Sequence, residues 1–82
     1  MPSIDRLIQD ILSGIKDSNI RFNTLVRVLK HFGFSLRING DHHIFFREGI
    51  EEIINIQPLG SKAKKYQVKQ VRNILHKYKM YS

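Results

Sequence analysis

The order of apolar and polar positions divides the start of the chain into two amphipathic helices. In the first stretch, apolar residues recur at spacings of three and four, which is the pattern of one helix face. These residues are Ile4, Leu7, Ile8, Ile11, Leu12 and Ile15. Ser3 is placed to cap this helix, and the polar residues 16–19 ("KDSN") break the pattern. We therefore predict an N-terminal helix followed by a short linker.

A second helical stripe follows the linker and ends at a glycine. Its apolar residues are Phe22, Leu25, Val26 and Leu29. Gly33 stands directly after Phe32, where the end of a helix commonly needs a residue with positive φ. We predict that the second helix ends near Phe32.

Beyond Gly33 the apolar period changes from helical to alternating, which is typical of a half-buried strand. Residues 34–38 ("FSLRI") show this alternation. Asn39-Gly40 then predicts a type I′ hairpin turn, because both residue types tolerate positive φ. The remaining predicted elements are a return strand over residues 42–47, a turn at Glu48-Gly49 and a third strand over residues 52–57.

The last part of the chain predicts a loop and a basic helix. Residues 58–65 are polar and contain glycine and lysine, and helical spacing returns from Tyr66 onward. The side chains Lys65, Lys69, Arg72 and His76 fall at spacings of four, three and four, so they share the polar face. The order helix, helix, three strands, helix predicts an α+β fold: a three-stranded antiparallel sheet with helices packed on one face.

Length and composition indicate one small globular domain over residues 1–82. A chain of this size buries one modest core, and its 41% hydrophobic content argues against wholesale disorder. It has no cysteine, which excludes disulfides, thiolate zinc ligands and cysteine nucleophiles and fits a reducing compartment. No apolar run approaches the roughly 20 residues that a membrane span needs. We expect a cytoplasmic protein without a membrane contact.

The net charge of +7 lies entirely in the C-terminal part of the chain. Residues 1–57 carry seven basic and seven acidic side chains, whereas residues 58–82 carry seven basic ones and no acid. Such a one-signed segment attracts polyanions, so a phosphate backbone is the favoured partner. A solvated helix face and a surface for an acidic protein are the alternatives. Sequence-specific DNA binding is less favoured, because the basic positions lack helix-turn-helix spacing.

Two adjacent histidines, His42 and His43, follow the predicted turn. Neighbouring side chains on a strand point to opposite faces, so only one of the two turns toward the helices. This disfavours a metal site, since the chain has no cysteine and no third well-spaced histidine. A histidine titrates near neutral pH and can exchange protons in phosphoryl chemistry. Plain structural roles, packing for one ring and strand polarity for the other, remain open.

The segment "LVRVLKHFGFSLRINGDHHIFF", from Leu25 to Phe46, resembles the opening of HicA-type toxins, the mRNA interferases of bacterial type II toxin–antitoxin systems. The shared features are a helix ending in a glycine-aromatic pair, a strand, and a glycine-x-histidine turn leading into an apolar strand. The later "INIQPLGSKAKKYQVKQVRNILHKY" resembles the closing strand, basic loop and final helix of that family. The similarity covers residues 21–79 and leaves residues 1–20 as a helical extension and linker.

This resemblance implies a double-stranded-RNA-binding-domain-like fold, an mRNA endonuclease activity and a HicB-type antitoxin as partner. The functional histidine of the family falls on His42, with His43 as the fallback. Asp41 replaces the usual serine of the turn. A carboxylate there favours a protonated imidazole but repels an approaching phosphate, so its effect on activity stays open.

From these features we expect RNA cleavage that needs neither metal nor other cofactor. His42 would act as a general base toward a ribose 2′-hydroxyl or as a general acid toward the leaving 5′-oxygen, supported by the turn at Gly40 and Asp41. The expected RNA-binding side chains are Lys62, Lys64, Lys65, Lys69 and Arg72. The alternatives are an RNA-binding module without catalysis and a protein-interaction domain for an acidic antitoxin.

Overall fold

In the computed structural model, which describes residues 3–81, helices pack against one side of a three-stranded sheet. The helices are α1 (Ile4–Ser13), α2 (Phe22–His31) and α3 (Lys65–Lys77), and a 3₁₀ turn covers Asp17–Asn19. The strands β1 (Ser35–Asn39), β2 (His42–Arg47) and β3 (Ile50–Ile56) form an antiparallel sheet in that order. Residues 1, 2 and 82 of the expected domain lie outside the described residues. No helix within residues 3–81 has the length and apolar character to cross a membrane.

The first helix begins as predicted and ends earlier than predicted. The Ser3 hydroxyl accepts a hydrogen bond from the Arg6 backbone N–H at 3.2 Å, which confirms its capping role. The helix ends at Ser13, because Gly14 takes a left-handed conformation with φ of +72°. Ile15 therefore lies outside the helix, and it is 85% exposed, although its spacing predicts that it belongs to the apolar face.

The turn between β1 and β2 lies one residue further along the chain than predicted. Asn39 pairs with His42, so the two loop residues are Gly40 and Asp41. Gly40 has φ of +64°, whereas Asp41 is not among the described residues with positive φ. Positive φ at the first loop residue alone fits a type II′ turn and corrects the type I′ prediction.

The hairpin of β2 and β3 contains an irregularity that decides which residues lie next to His42. Arg47 pairs with Ile50 around the predicted turn at Glu48-Gly49, but the register shifts between Arg47 and Phe45, and Phe45 pairs with Ile54. A β-bulge of this kind is common near functional sites. His43 consequently pairs with Ile56, which places residue 57 beside His42.

The core lies between the helices and one sheet face. Phe45, Ile54 and Ile56 are fully buried on this face, whereas Phe46 and Ile53 on the other face are 39% and 64% exposed. The helices contribute Leu7, Ile8, Ile11, Phe22, Leu25, Val28, Leu29, Val68, Val71, Ile74 and Leu75 to the same cluster. This confirms the α+β prediction, including the extra N-terminal helix, and is consistent with a double-stranded-RNA-binding-domain-like fold.

A buried amide fastens the start of α3 to the end of β3. The Gln67 side chain is fully buried; its Nε2 donates to the Gln57 backbone carbonyl at 3.0 Å and its Oε1 accepts from the Lys64 backbone N–H at 3.1 Å. Both ends of the amide are thus satisfied, as a buried polar group requires. The basic loop and the first turn of α3 are therefore held next to the strand end that neighbours His42.

Candidate active site

The two histidines point to opposite sides of the sheet, as the strand alternation predicts. His43 lies on the helix side, where its ring meets Phe22 edge-on with centroids 4.8 Å apart. The His43 Nδ1 lies 3.3 Å from the Asp41 backbone carbonyl oxygen. His42 lies on the open side of the sheet, with 47% of its side chain exposed. Of the two rings, His42 is therefore the one that a large ligand can approach.

Both ring nitrogens of His42 contact amide side chains. Nδ1 lies 3.1 Å from Oδ1 of Asn55, on the outer face of β3. Nε2 lies 2.9 Å from Nε2 of Gln57, just beyond the end of β3. Neither amide was identified from the sequence, because both lie more than ten residues away along the chain and the bulge sets their register.

The carboxylate of Asp41 borders the same group. Its Oδ1 lies 4.0 Å from the His42 Nε2 and accepts a long hydrogen bond from the Gln57 Nε2 at 3.5 Å. The Asp41 side chain is 74% exposed, so solvent screens its charge. Within the part of the chain that the structure describes, no group of three or more His, Cys, Asp or Glu side chains is arranged to hold a metal ion.

Four lysines form a basic surface around the start of α3. Lys62, Lys65 and Lys69 are exposed and Lys64 is half-buried. Among residues 3–81 none of the four forms an ion pair with a carboxylate, and we call them the unpaired lysines. The first turn of α3 contains no acid, so the positive end of the helix dipole adds to their field.

The unpaired lysines and His42 belong to the same end of the molecule. Gln57 contacts His42 through its side chain at 2.9 Å and Gln67 through its backbone carbonyl at 3.0 Å. Gln67 in turn accepts from the Lys64 backbone. The loop is also fixed to the start of α2, where the Phe22 N–H donates to the Ser61 carbonyl oxygen at 3.0 Å. These hydrogen bonds connect the loop before α3 to the strand end that bears His42.

Arg72 has a different environment from Lys65 and Lys69, although its spacing predicts that it shares their helix face. Its two terminal nitrogens each lie 2.9 Å from an Asp17 carboxylate oxygen, and Nη1 also donates to the Ile11 carbonyl oxygen at 3.1 Å. Only 15% of the side chain is exposed. Hydrogen bonding to Asp17 raises the pKa of Arg72, so the charge is permanent. The guanidinium fastens α1 and the linker to α3, and we leave it out of the proposed RNA surface.

The fold and the site together define a class: a small basic α+β protein that presents an exposed histidine and a group of unpaired lysines. A family model for the HicA toxin of bacterial toxin–antitoxin systems matches residues 22–77. This range is more than half of the 82-residue chain, and the chain belongs to the HicA toxin family. It is thus the toxin component of a toxin–antitoxin system. No curated protein and no solved structure shows significant similarity to it.

Proposed function

We propose that this toxin is an endoribonuclease that cleaves mRNA, with His42 as its proton-transfer group and the unpaired lysines as its RNA-binding surface. The observation that carries the proposal is the position of His42. The ring is exposed on the open sheet face, directly after a tight turn. Hydrogen bonds through Gln57 and Gln67 connect this strand end to the loop that precedes α3. Membership of a toxin family known for mRNA interferase activity supports the same function.

The reaction we propose is transesterification within the RNA. The ribose 2′-oxygen attacks the adjacent phosphorus and the bond from phosphorus to the 5′-oxygen breaks. The products carry a 2′,3′-cyclic phosphate and a free 5′-hydroxyl. His42 either removes the 2′-proton or supplies a proton to the 5′-oxygen, and the lysine ammonium groups offset the charge that develops on the phosphoryl oxygens. No step requires a metal ion, so cleavage should continue in EDTA.

A growth assay tests the role of His42 in cells. A positioned acid–base group contributes about 10²–10⁴-fold to a rate, so His42→Ala should abolish the growth arrest that the parent protein causes. The matched control is His31→Ala, which removes an exposed histidine at the end of α2. Growth arrest by His42→Ala as strong as that of the parent would remove His42 from the mechanism.

The fallback residue His43 needs a different variant, because its ring packs against Phe22. His43→Phe keeps an aromatic ring in this contact and removes both ring nitrogens. We expect this variant to arrest growth like the parent. Loss of toxicity in a folded His43→Phe protein would indicate that His43, and not His42, is the proton-transfer group.

One observation favours a second function, an RNA-binding module without catalysis. Both ring nitrogens of His42 are occupied by amide side chains, so the imidazole exchanges a proton only after one amide has moved. Purified protein incubated with RNA in EDTA distinguishes the two functions. Fragments with 2′,3′-cyclic ends support the nuclease, whereas retained and intact RNA supports the binding module.

We also infer that the partner antitoxin is of the HicB type and acidic where it meets the toxin. The unpaired lysines give such a partner a cationic surface, and covering them would exclude RNA by direct competition. Adding the antitoxin to a preformed complex should then release labelled RNA. If the antitoxin bound while the RNA stayed attached, the antitoxin would contact a surface other than the unpaired lysines.

A further inference from the structure

We propose that Asn55 and Gln57 are positioning residues that hold His42 as the neutral tautomer with its proton on Nδ1. In this state Nε2 carries a lone pair, so His42 acts as the base toward the ribose 2′-hydroxyl and not as the acid toward the 5′-oxygen. The catalytic consequence rests on the proposed nuclease function. The tautomer itself does not, and it is measured without any RNA.

The Asn55 contact fixes the proton on Nδ1. The atom of Asn55 that faces Nδ1, at 3.1 Å, is the carbonyl oxygen Oδ1, which has lone pairs and no proton. A hydrogen bond at this distance therefore requires Nδ1 to be the donor. In a neutral imidazole only one nitrogen carries a proton, so Nε2 must be the acceptor.

The Gln57 contact supports the same assignment from the other side of the ring. The atom facing the His42 Nε2, at 2.9 Å, is the amide nitrogen of Gln57, which donates and does not accept. A proton on the His42 Nε2 would point at this donor and remove the hydrogen bond. Asn55 thus presents an acceptor to Nδ1 and Gln57 presents a donor to Nε2. Both contacts favour the tautomer with its proton on Nδ1.

Asp41 favours one orientation of the Gln57 amide. A carboxylate is only an acceptor, and the Asp41 Oδ1 lies 3.5 Å from the Gln57 Nε2. Rotating the Gln57 amide by 180° would place two oxygens against each other. The acid that replaces the usual serine of the turn therefore orients Gln57, which keeps a donor on the His42 Nε2.

This arrangement predicts the order of proton transfers during cleavage. RNA displaces the Gln57 amide from Nε2, and the nearby Asp41 carboxylate accepts the released amide N–H. The Nε2 lone pair takes the proton of the 2′-hydroxyl as its oxygen bonds to phosphorus. The 5′-oxygen leaves and takes a proton from solvent water, which reaches the open sheet face where 47% of the His42 side chain is exposed. The imidazolium then gives its Nε2 proton to the hydroxide that remains, which restores the neutral tautomer.

The variant Gln57→Glu distinguishes His42 acting as the base from His42 acting as the acid. The new carboxylate has nearly the shape of the amide but accepts a hydrogen bond, so it favours a proton on the His42 Nε2. If His42 is the base, cleavage falls by about 10-fold or more, because the lone pair is lost. If His42 is the acid, cleavage rises. Gln9→Glu on the exposed side of α1 adds the same charge away from the site and serves as the control.

Two substitutions of Asn55 separate positioning from packing. Asn55→Asp keeps an oxygen toward Nδ1 and should retain the tautomer, whereas Asn55→Leu removes the acceptor and should mix the two tautomers. Asn55 is exposed, so neither change leaves a cavity in the core. A purely structural role for Asn55 would leave the tautomer the same in both variants.

The deciding measurement is the ¹⁵N–¹H correlation spectrum of the His42 ring at a pH where the ring is neutral. We expect the parent and Asn55→Asp to show a protonated Nδ1. At the same pH, Gln57→Glu should show a proton on Nε2 as well, because both ring nitrogens then face acceptor oxygens. A parent spectrum with the proton on Nε2 would overturn the inference and leave the nuclease proposal standing. A protonated Nδ1 in a protein that cleaves no RNA would have the opposite meaning: the positioning holds and the nuclease function fails.

Discussion

Two groups of cations on the same C-terminal segment have different surroundings. The unpaired lysines around the start of α3 are without carboxylate partners among the described residues. Further along the helix, Arg72 binds Asp17 at 2.9 Å and Lys77 binds Glu52 at 2.8 Å. All of them contribute equally to the net charge of +7.

The difference shows that the number of basic residues overstates the surface available to RNA. The acids that neutralise Arg72 and Lys77 come from the linker and from β3, 55 and 25 residues away. They hold the helix to the rest of the fold. The unpaired lysines perform no such task, and their charge remains for a polyanion.

The largest effect that we predict from this comparison concerns stability. Arg72→Ala leaves the partly buried Asp17 carboxylate without its donor and should lower the free energy of unfolding by about 2–3 kcal/mol. Lys69→Ala, on the same face of α3, should change it by less than about 0.5 kcal/mol. Urea denaturation of both variants measures this. Equal losses in the two variants would show that the pairing has no structural value.

The next effect concerns RNA affinity. Here the unpaired lysines should have the larger effect and the paired cations the smaller one. Changing Lys62, Lys65 and Lys69 to alanine together should reduce the slope of log affinity against log salt by about 2, since each single-stranded phosphate contact contributes about 0.7. Lys77→Ala should leave the slope unchanged, because Glu52 already neutralises Lys77. RNA titrations at several salt concentrations measure both slopes. If the triple variant kept the slope of the parent, these lysines would make no contact with RNA phosphates and would only be solvated surface residues.

The smallest effect is a pH dependence of the paired region. Hydrogen bonds from Lys77 and then from Tyr78 lower the pKa of Glu52 to about 2 from its ordinary 4.5. The ionised carboxylate therefore stabilises the fold fully above about pH 4.5, and this contribution is lost as the pH falls toward 2. The difference in unfolding free energy between the parent and Glu52→Gln should shrink over the same range. A difference independent of pH would contradict the lowered pKa.

The sequence predicts the order of the elements well because each one carries its own local signal. The α1 stripe with its Ser3 cap, the glycine after α2 and the Glu48-Gly49 turn all specify backbone conformation within a few residues. The errors are local as well. The Gly14 cap ends α1 before Ile15, and the β1–β2 turn uses Gly40 and Asp41 in place of Asn39 and Gly40.

The composition of the candidate site could be predicted only in part. Strand alternation separates His42 from His43, but it does not tell which side chains of β3 lie opposite. A regular hairpin around Glu48-Gly49 would pair His42 with Asn55, whereas the bulge pairs Asn55 with Ile44 and moves Gln57 toward the ring. The environment of Arg72 was equally hidden, since its partner Asp17 lies in a linker without a periodic pattern.

The most direct test of the nuclease proposal is the cleavage rate of a labelled RNA by purified parent and His42→Ala proteins in EDTA, at equal occupancy of the RNA. We predict that the parent gives fragments with 2′,3′-cyclic phosphate ends. His42→Ala should bind the RNA with nearly the parent affinity, because the unpaired lysines are intact, and cleave it at least about 100-fold more slowly. Cleavage by His42→Ala at the parent rate would contradict the central role of this imidazole.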